Sequence, residues 1–126
     1  MILVAQNNKL TIEIQGLRNE NGAINYLLFD QEEGFPDKKE RAIRKNVVHA
    51  RDGIIEISGL KSADYAVVVL HDENQDLKMN YNWVGFPTEG FGFSNNHRLL
   101  SGPPSFDRSS FSLDTDAHII IKMKYL

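Results

Sequence analysis

Apolar and polar residues alternate strictly over residues 10–15, with Leu10, Ile12 and Ile14 set against Thr11, Glu13 and Gln15. A period of two predicts a strand with one buried face, and Gly16 ends it. Asn19-Glu20-Asn21-Gly22 is a turn signal, because Asn-Gly readily supplies positive φ. Over residues 23–29 both parities are largely apolar, which predicts a strand covered on both faces and paired with the first as a hairpin. Residues 30–37 read as a loop around Gly34, Phe35 and Pro36. Residues 38–45 read either as a short helical turn or as the lead into an edge strand carrying Val47 and Val48. Arg51-Asp52-Gly53 is a second hairpin signal. The strand after it, residues 54–58, sets Ile55 and Ile57 on one face. Residues 65–70 are almost wholly apolar β-formers and predict a central strand. Residues 106–113 read as a strand after Pro103-Pro104, and Asp114-Thr115-Asp116 as a turn. The last strand, residues 118–125, has Ile119, Ile121 and Met123 on one face and Ile120 on the other. About seven short strands separated by turn signals predict an all-β fold, an antiparallel Greek-key β-sandwich.

A long stretch between Leu70 and Phe106 has no periodic pattern, and loops of that length in a compact domain often carry function. Its first part spaces oxygen donors at Asp72, Asn74, Asp76 and Asn80. Asp-x-Asn-x-Asp matches the opening of a calcium loop, and a hard cation such as Ca2+ takes six to eight oxygens. Leu77 stands where such a loop needs glycine, and Trp83 where it needs a bidentate glutamate, so this is not an EF-hand. The alternative is an Asx-turn network serving the loop's own N–H groups. The second part interleaves Gly85, Gly90, Gly92 and Gly102 with Trp83, Phe86, Phe91, Phe93 and Phe106. Such rings either anchor a loop by burial or line a groove. His71 sits beside the acids, where an imidazole either acts as a base or ties the strand end to the loop. His71, Glu89, Trp83, Phe91, Phe93 and Asn95 form the candidate ligand-binding set; Asp72, Asn74, Asp76 and Asn80 form the candidate metal set. Ser94, Ser101 and Ser105 have no nucleophile-elbow context, so no catalytic residue is assigned.

Composition narrows the classes. The chain of 126 residues is 41% hydrophobic and 25% charged, ordinary for one globular domain spanning residues 1–126. A net charge of −3 leaves no electrostatic footprint for nucleic acid. The basic residues around Lys38, Lys39, Arg41, Arg44 and Lys45 are interrupted by Glu40 and read as a solvated face. No apolar run reaches the roughly 20 residues of a membrane helix. With no cysteine, disulfides and thiolate sites are excluded. Residues 1–8 read as a frayed terminus, an edge strand or the remnant of an export signal.

Gly59-Leu60, then Asp64-Tyr65-Ala66-Val67, His71-Asp72-Glu73-Asn74, Gly85 with Pro87-Thr88-Glu89-Gly90, Gly92-Phe93-Ser94-Asn95-Asn96, and Gly102 with Pro104-Ser105-Phe106 follow in an order that resembles the bacterial domain-of-unknown-function family 2141. The likeness runs over most of the chain and is most specific from Glu89 to Asn95. It implies a prealbumin-like sandwich in a small bacterial protein exported to the periplasm or secreted, with no established activity. Where relatives carry Gly-Asn-Gly in the acidic turn, this chain has Gln75, Asp76 and Leu77. Three functional expectations stand: a non-enzymatic cell-envelope binding or accessory domain for a glycan, peptide or envelope protein, with a loop that binds a cation such as calcium; a purely structural or interaction domain without metal; and a small hydrolase using His71 with Asp72 or Glu89.

Overall fold

A computed structural model describes residues 7–73, 90–97 and 102–125. Eight strands appear among them: β1 Asn8–Gln15, β2 Ala23–Phe29, β3 Arg44–His49, β4 Ile54–Leu60, β5 Ala63–Asp72, β6 Gly90–Phe93, β7 Phe111–Leu113 and β8 Ala117–Lys122. A single helical turn, α1 Phe106–Ser109, precedes β7. Three strands form one sheet in the order β4-β1-β8. The other sheet runs β3-β2-β5-β6, with β7 paired to the start of β5. The fold is therefore all-β with two sheets.

The alternation read in the sequence sets the two faces. Leu10, Ile12, Ile55, Ile57 and Ile121 of the smaller sheet share one cluster with Ile24, Tyr26, Leu28, Tyr65, Val67 and Val69 of the larger. The sheets thus pack face to face over this core. The larger sheet buries its other face as well. Leu27, Phe29, Val68, Leu70, Phe91 and Phe93 form a second cluster, against which Phe35, Ala42 and Phe106 pack. Two covered faces explain why β2 and β5 are apolar at both parities.

Several expectations are corrected. The strand of residues 10–15 and β2 are not a hairpin: β1 pairs with β4 and β8, β2 with β3 and β5. Gly22 does take positive φ, +73°, but the turn carries the chain from one sheet to the other. Arg51-Asp52-Gly53 behaves alike. A 3-10 turn at Ala50–Asp52 and left-handed Gly53 (φ +64°) hand the chain from β3 in one sheet to β4 in the other. The alternatives for residues 38–45 both occur, as a 3-10 turn at Lys39–Arg41 followed by β3. Residues 106–113 are not one strand, because Ser105 caps α1 through its hydroxyl, which accepts from Arg108 N at 3.2 Å. The sandwich is not purely antiparallel, since β8 runs parallel to β1 from Leu10↔Ala117 to Gln15↔Lys122.

The aperiodic stretch contains β6. Its Gly-Phe-Gly-Phe pattern is a strand with glycines on the inner face and rings on the outer. A Cβ on Gly92 would stand 2.5 Å from the Ile121 side chain, and one on Gly90 2.3 Å from the Tyr125 ring. The missing side chains let the end of the chain cross close to β6, where Phe91 and Lys124 exchange two backbone hydrogen bonds of 3.0 and 2.7 Å.

Candidate functional site

Successive residues of a strand face opposite sides, so the end of β5 sends His71 inward, in line with Val67 and Val69, and Asp72 outward. His71 is 0% exposed. Its Nε2 lies 2.7 Å from the Asn21 carbonyl, which can only accept, so Nε2 carries a proton. Nδ1 lies 2.8 Å from the Tyr125 hydroxyl. That hydroxyl accepts from the Arg18 N–H at 3.1 Å and has its own proton to donate to Nδ1. Every donor and acceptor in the chain Arg18 N–H, Tyr125 Oη–H, His71 and Asn21 C=O is thereby matched. Burial raises the Tyr125 pKa, the Arg18 N–H bond opposes that, and the Glu73 carboxylate adds to it; the phenol stays protonated as the donor role requires.

An ion pair lies over this network. The Arg18 guanidinium forks onto Glu73, with Nε donating to Oε2 at 3.1 Å and Nη2 to Oε1, and it stacks 4.6 Å from the Tyr125 ring centroid. Asn19 donates to Glu73 Oε2 at 2.7 Å, and its own Oδ1 accepts from Asn21 N at 2.9 Å, an Asx turn. Hydrogen bonding from Arg18, joined by that from Asn19, holds the Glu73 carboxyl below its ordinary value of 4.5 against the opposing effect of partial burial. A depressed native pKa means that the unfolded chain takes up the proton first as pH falls. This contribution to stability is complete above the ordinary carboxyl value and is lost as pH drops through the native one. Wild type should accordingly lose more melting temperature than Glu73→Gln on going from about pH 6 to about pH 3, as scanning calorimetry would show. Parallel curves would contradict it.

The remaining ligand-binding candidates fall in two groups. Phe91 and Phe93 are 1% and 6% exposed, with ring centroids 6.0 Å apart, and Phe93 meets Phe35 edge-on at 6.1 Å; their rings pack the second cluster. Asn95 is exposed, but its Nδ2 donates to the Arg108 and Ser110 carbonyls at 3.0 and 2.8 Å. Its neighbours work the same way. Ser94 Oγ accepts from Val67 N at 3.0 Å and donates to the Ser109 carbonyl, filling the gap on β5 between β6 and β7. Asn96 accepts from Lys122 N at 2.7 Å and donates to Ile120 O at 2.9 Å, standing in for a neighbouring strand along β8. Asn95 and Asn96 hold φ of +70° and +55°, a conformation asparagine tolerates. Ser-Asn-Asn thus ties backbone from three elements together.

Trp83 and Glu89 lie outside the described residues, as do Asn74, Asp76 and Asn80 of the metal set. Asp72, the described member of that set, is 3% exposed. Among the described residues no group of three or more His, Asp or Glu side chains is placed to hold a metal ion. His71 and Asp72 point to opposite faces and do not converge as a base and its orienting acid would.

Sequence reasoning passed over Arg18, Asn21 and Tyr125, which lie far from His71 along the chain; spacing carries no signal for contacts made across two sheets. It also passed over a groove of ≈ 380 Å3 on the outer face of the larger sheet, lined in part by Asn25, Leu27 and Leu70. Comparison with known proteins gives one finding. A family model described as "Uncharacterized protein conserved in bacteria (DUF2141)" matches residues 12–121. No curated protein and no solved structure matches the chain.

Proposed function

The chain belongs to that family of uncharacterized bacterial proteins, and from this premise we propose that it is a non-catalytic binding domain of the bacterial cell envelope, periplasmic or secreted, built on a prealbumin-like Greek-key sandwich. The observation that carries the reading is the state of His71. Both of its ring nitrogens are engaged within the fold at 0% exposure, so neither is available to take a proton from a substrate. The envelope location rests on the family resemblance. Asp72, Asn74, Asp76 and Asn80 offer oxygen donors for a cation such as calcium.

Melting the protein against a panel of envelope-type glycans and peptides, with and without about 5 mM calcium, tests this through linkage. A saturable rise of several degrees with at least one panel member, with that member recovered intact by mass spectrometry, is the expected result. Turnover of any member overturns the non-catalytic reading, and an unmoved melting temperature across the panel overturns binding. The calcium element stands or falls separately: wild type should gain several degrees with calcium, and Asp72→Ala should not.

A further inference from the structure

On the outer face of the larger sheet, the ladder sets Asn25 between Val47 of β3 and Leu70 of β5, and sets Lys45 opposite Leu27 one row along. These residues, with Lys39, line the groove of ≈ 380 Å3, a volume at the lower end of small-ligand sites. Val47 leaves 45% of its surface exposed beside it. Asn25 Oδ1 is buried and has no hydrogen-bond partner. Its cross-strand partners Val47 and Leu70 and its same-face neighbour Leu27 are apolar, and neither Tyr26 nor Asn46, which also line the groove, donates to it. A buried acceptor without a donor is uncommon and calls for an explanation. The groove also carries unneutralised positive charge, because neither Lys39 nor Lys45 forms an ion pair among the described residues.

An apolar floor, a waiting acceptor and two cations within one small groove define the missing partner: a compact apolar body, an N–H donor and an anion close together. A single terminal amino-acid residue carries all three around one carbon atom. We propose that this groove binds the carboxy-terminal end of a peptide whose last residue is a branched apolar one such as leucine, an inference that rests on reading the chain as a binding domain. The terminal residue lies along β2, with its N–H donating to Asn25 Oδ1 and its side chain on Leu27 and Leu70. Rows two residues apart on a strand are separated by about 7 Å. The carboxylate therefore falls near the Leu27–Lys45 row, within reach of both ammonium groups, where opposite charge favours encounter and fixes direction.

The probe is acetyl-Gly-Gly-Leu, titrated into the full chain and followed by amide NMR shifts, beside the same peptide ending in a carboxamide. The free acid is expected to saturate, with the largest shifts at residues 25, 45, 47 and 70. The carboxamide and the Lys45→Gln variant should each bind about tenfold more weakly or worse. Asn25→Leu should melt at or above the wild-type temperature, since it removes an unpartnered acceptor, yet lose about tenfold in affinity; that combination separates recognition from damage to the fold. Equal affinity for acid and amide, shifts confined to another face, or no binding by folded protein at about 10 mM peptide overturns the proposal. If the peptide fails while a member of the envelope panel still stabilises the protein, the groove assignment falls and the binding reading survives. Turnover of a panel member sinks the non-catalytic reading and leaves the acid-against-amide comparison to decide the groove.

Discussion

Gly22→Ala is expected to lower the unfolding free energy by about 3–5 kcal/mol. Gly22 holds φ +73°, and an added Cβ would stand 2.1 Å from the Asp72 carbonyl oxygen and 2.7 Å from that of Glu73. Left-handed backbone alone costs an L-residue about 1–2 kcal/mol. The contact costs more, because the obstacle is backbone at the end of a central strand and cannot rotate aside. Relief requires the turn of residues 19–22 to lift away from β5. That movement draws the Asn21 carbonyl off His71 and Asn19 off Glu73, so the strain spreads into the buried network. Urea denaturation of wild type and variant measures the loss, and a difference below about 1 kcal/mol would mean that the turn relaxes without disturbing β5.

His71→Leu is the second large effect, expected at about 2–4 kcal/mol. Leucine suits the inner face of β5 but offers no donor to the Asn21 carbonyl and no acceptor to the Tyr125 hydroxyl. Stranding a buried polar group costs about 1–3 kcal/mol each. Tyr125→Phe removes one partner and should cost about 1–2 kcal/mol. Because both changes break the same Tyr125–His71 bond, the double variant should lose less than the two single losses added together. Strict additivity in denaturant titrations would show that the two residues contribute independently.

How much of this was legible in the sequence depends on the distance over which each feature is encoded. Strand positions β1, β4 and β8 follow from local periodicity, since each buried face is written every second residue, and β2 and β5 from apolar runs, since both of their faces are covered. Pairing is not written locally. Asn21-Gly22 and Arg51-Asp52-Gly53 bend the chain as their types require, but a bend within a sheet and a bend between sheets use the same residues. β6 escaped because the alternation that marks it is glycine against phenylalanine, and a stretch carrying Gly85, Gly90, Gly92 and Gly102 reads as loop. Its inner face is empty because Tyr125 and Ile121 fill it from elsewhere in the chain. The candidate site divides likewise. His71 stood out from its acidic neighbours, and tying the strand end by hydrogen bonds was one of its two readings. Its actual partners come from residues 21 and 125, so neither they nor the burial of the ring could be read beforehand. Ser94, Asn95 and Asn96 show the converse, a conspicuous motif whose side chains serve the backbone.

The parallel pairing of β1 with β8 has a consequence for timing. The first strand described cannot close its second edge until residues 117–122 are present, and the empty inner face of β6 stays uncovered until Ile121 and Tyr125 arrive. A nascent chain halted before residue 117 would carry an open strand edge, an uncovered apolar face and a histidine lacking its phenol. Such a chain should resist commitment to the native state and remain accessible to chaperones and proteases until residues 117–125 have been made. Residues 117–125 thus act as the closing stitch between the first strand and β6.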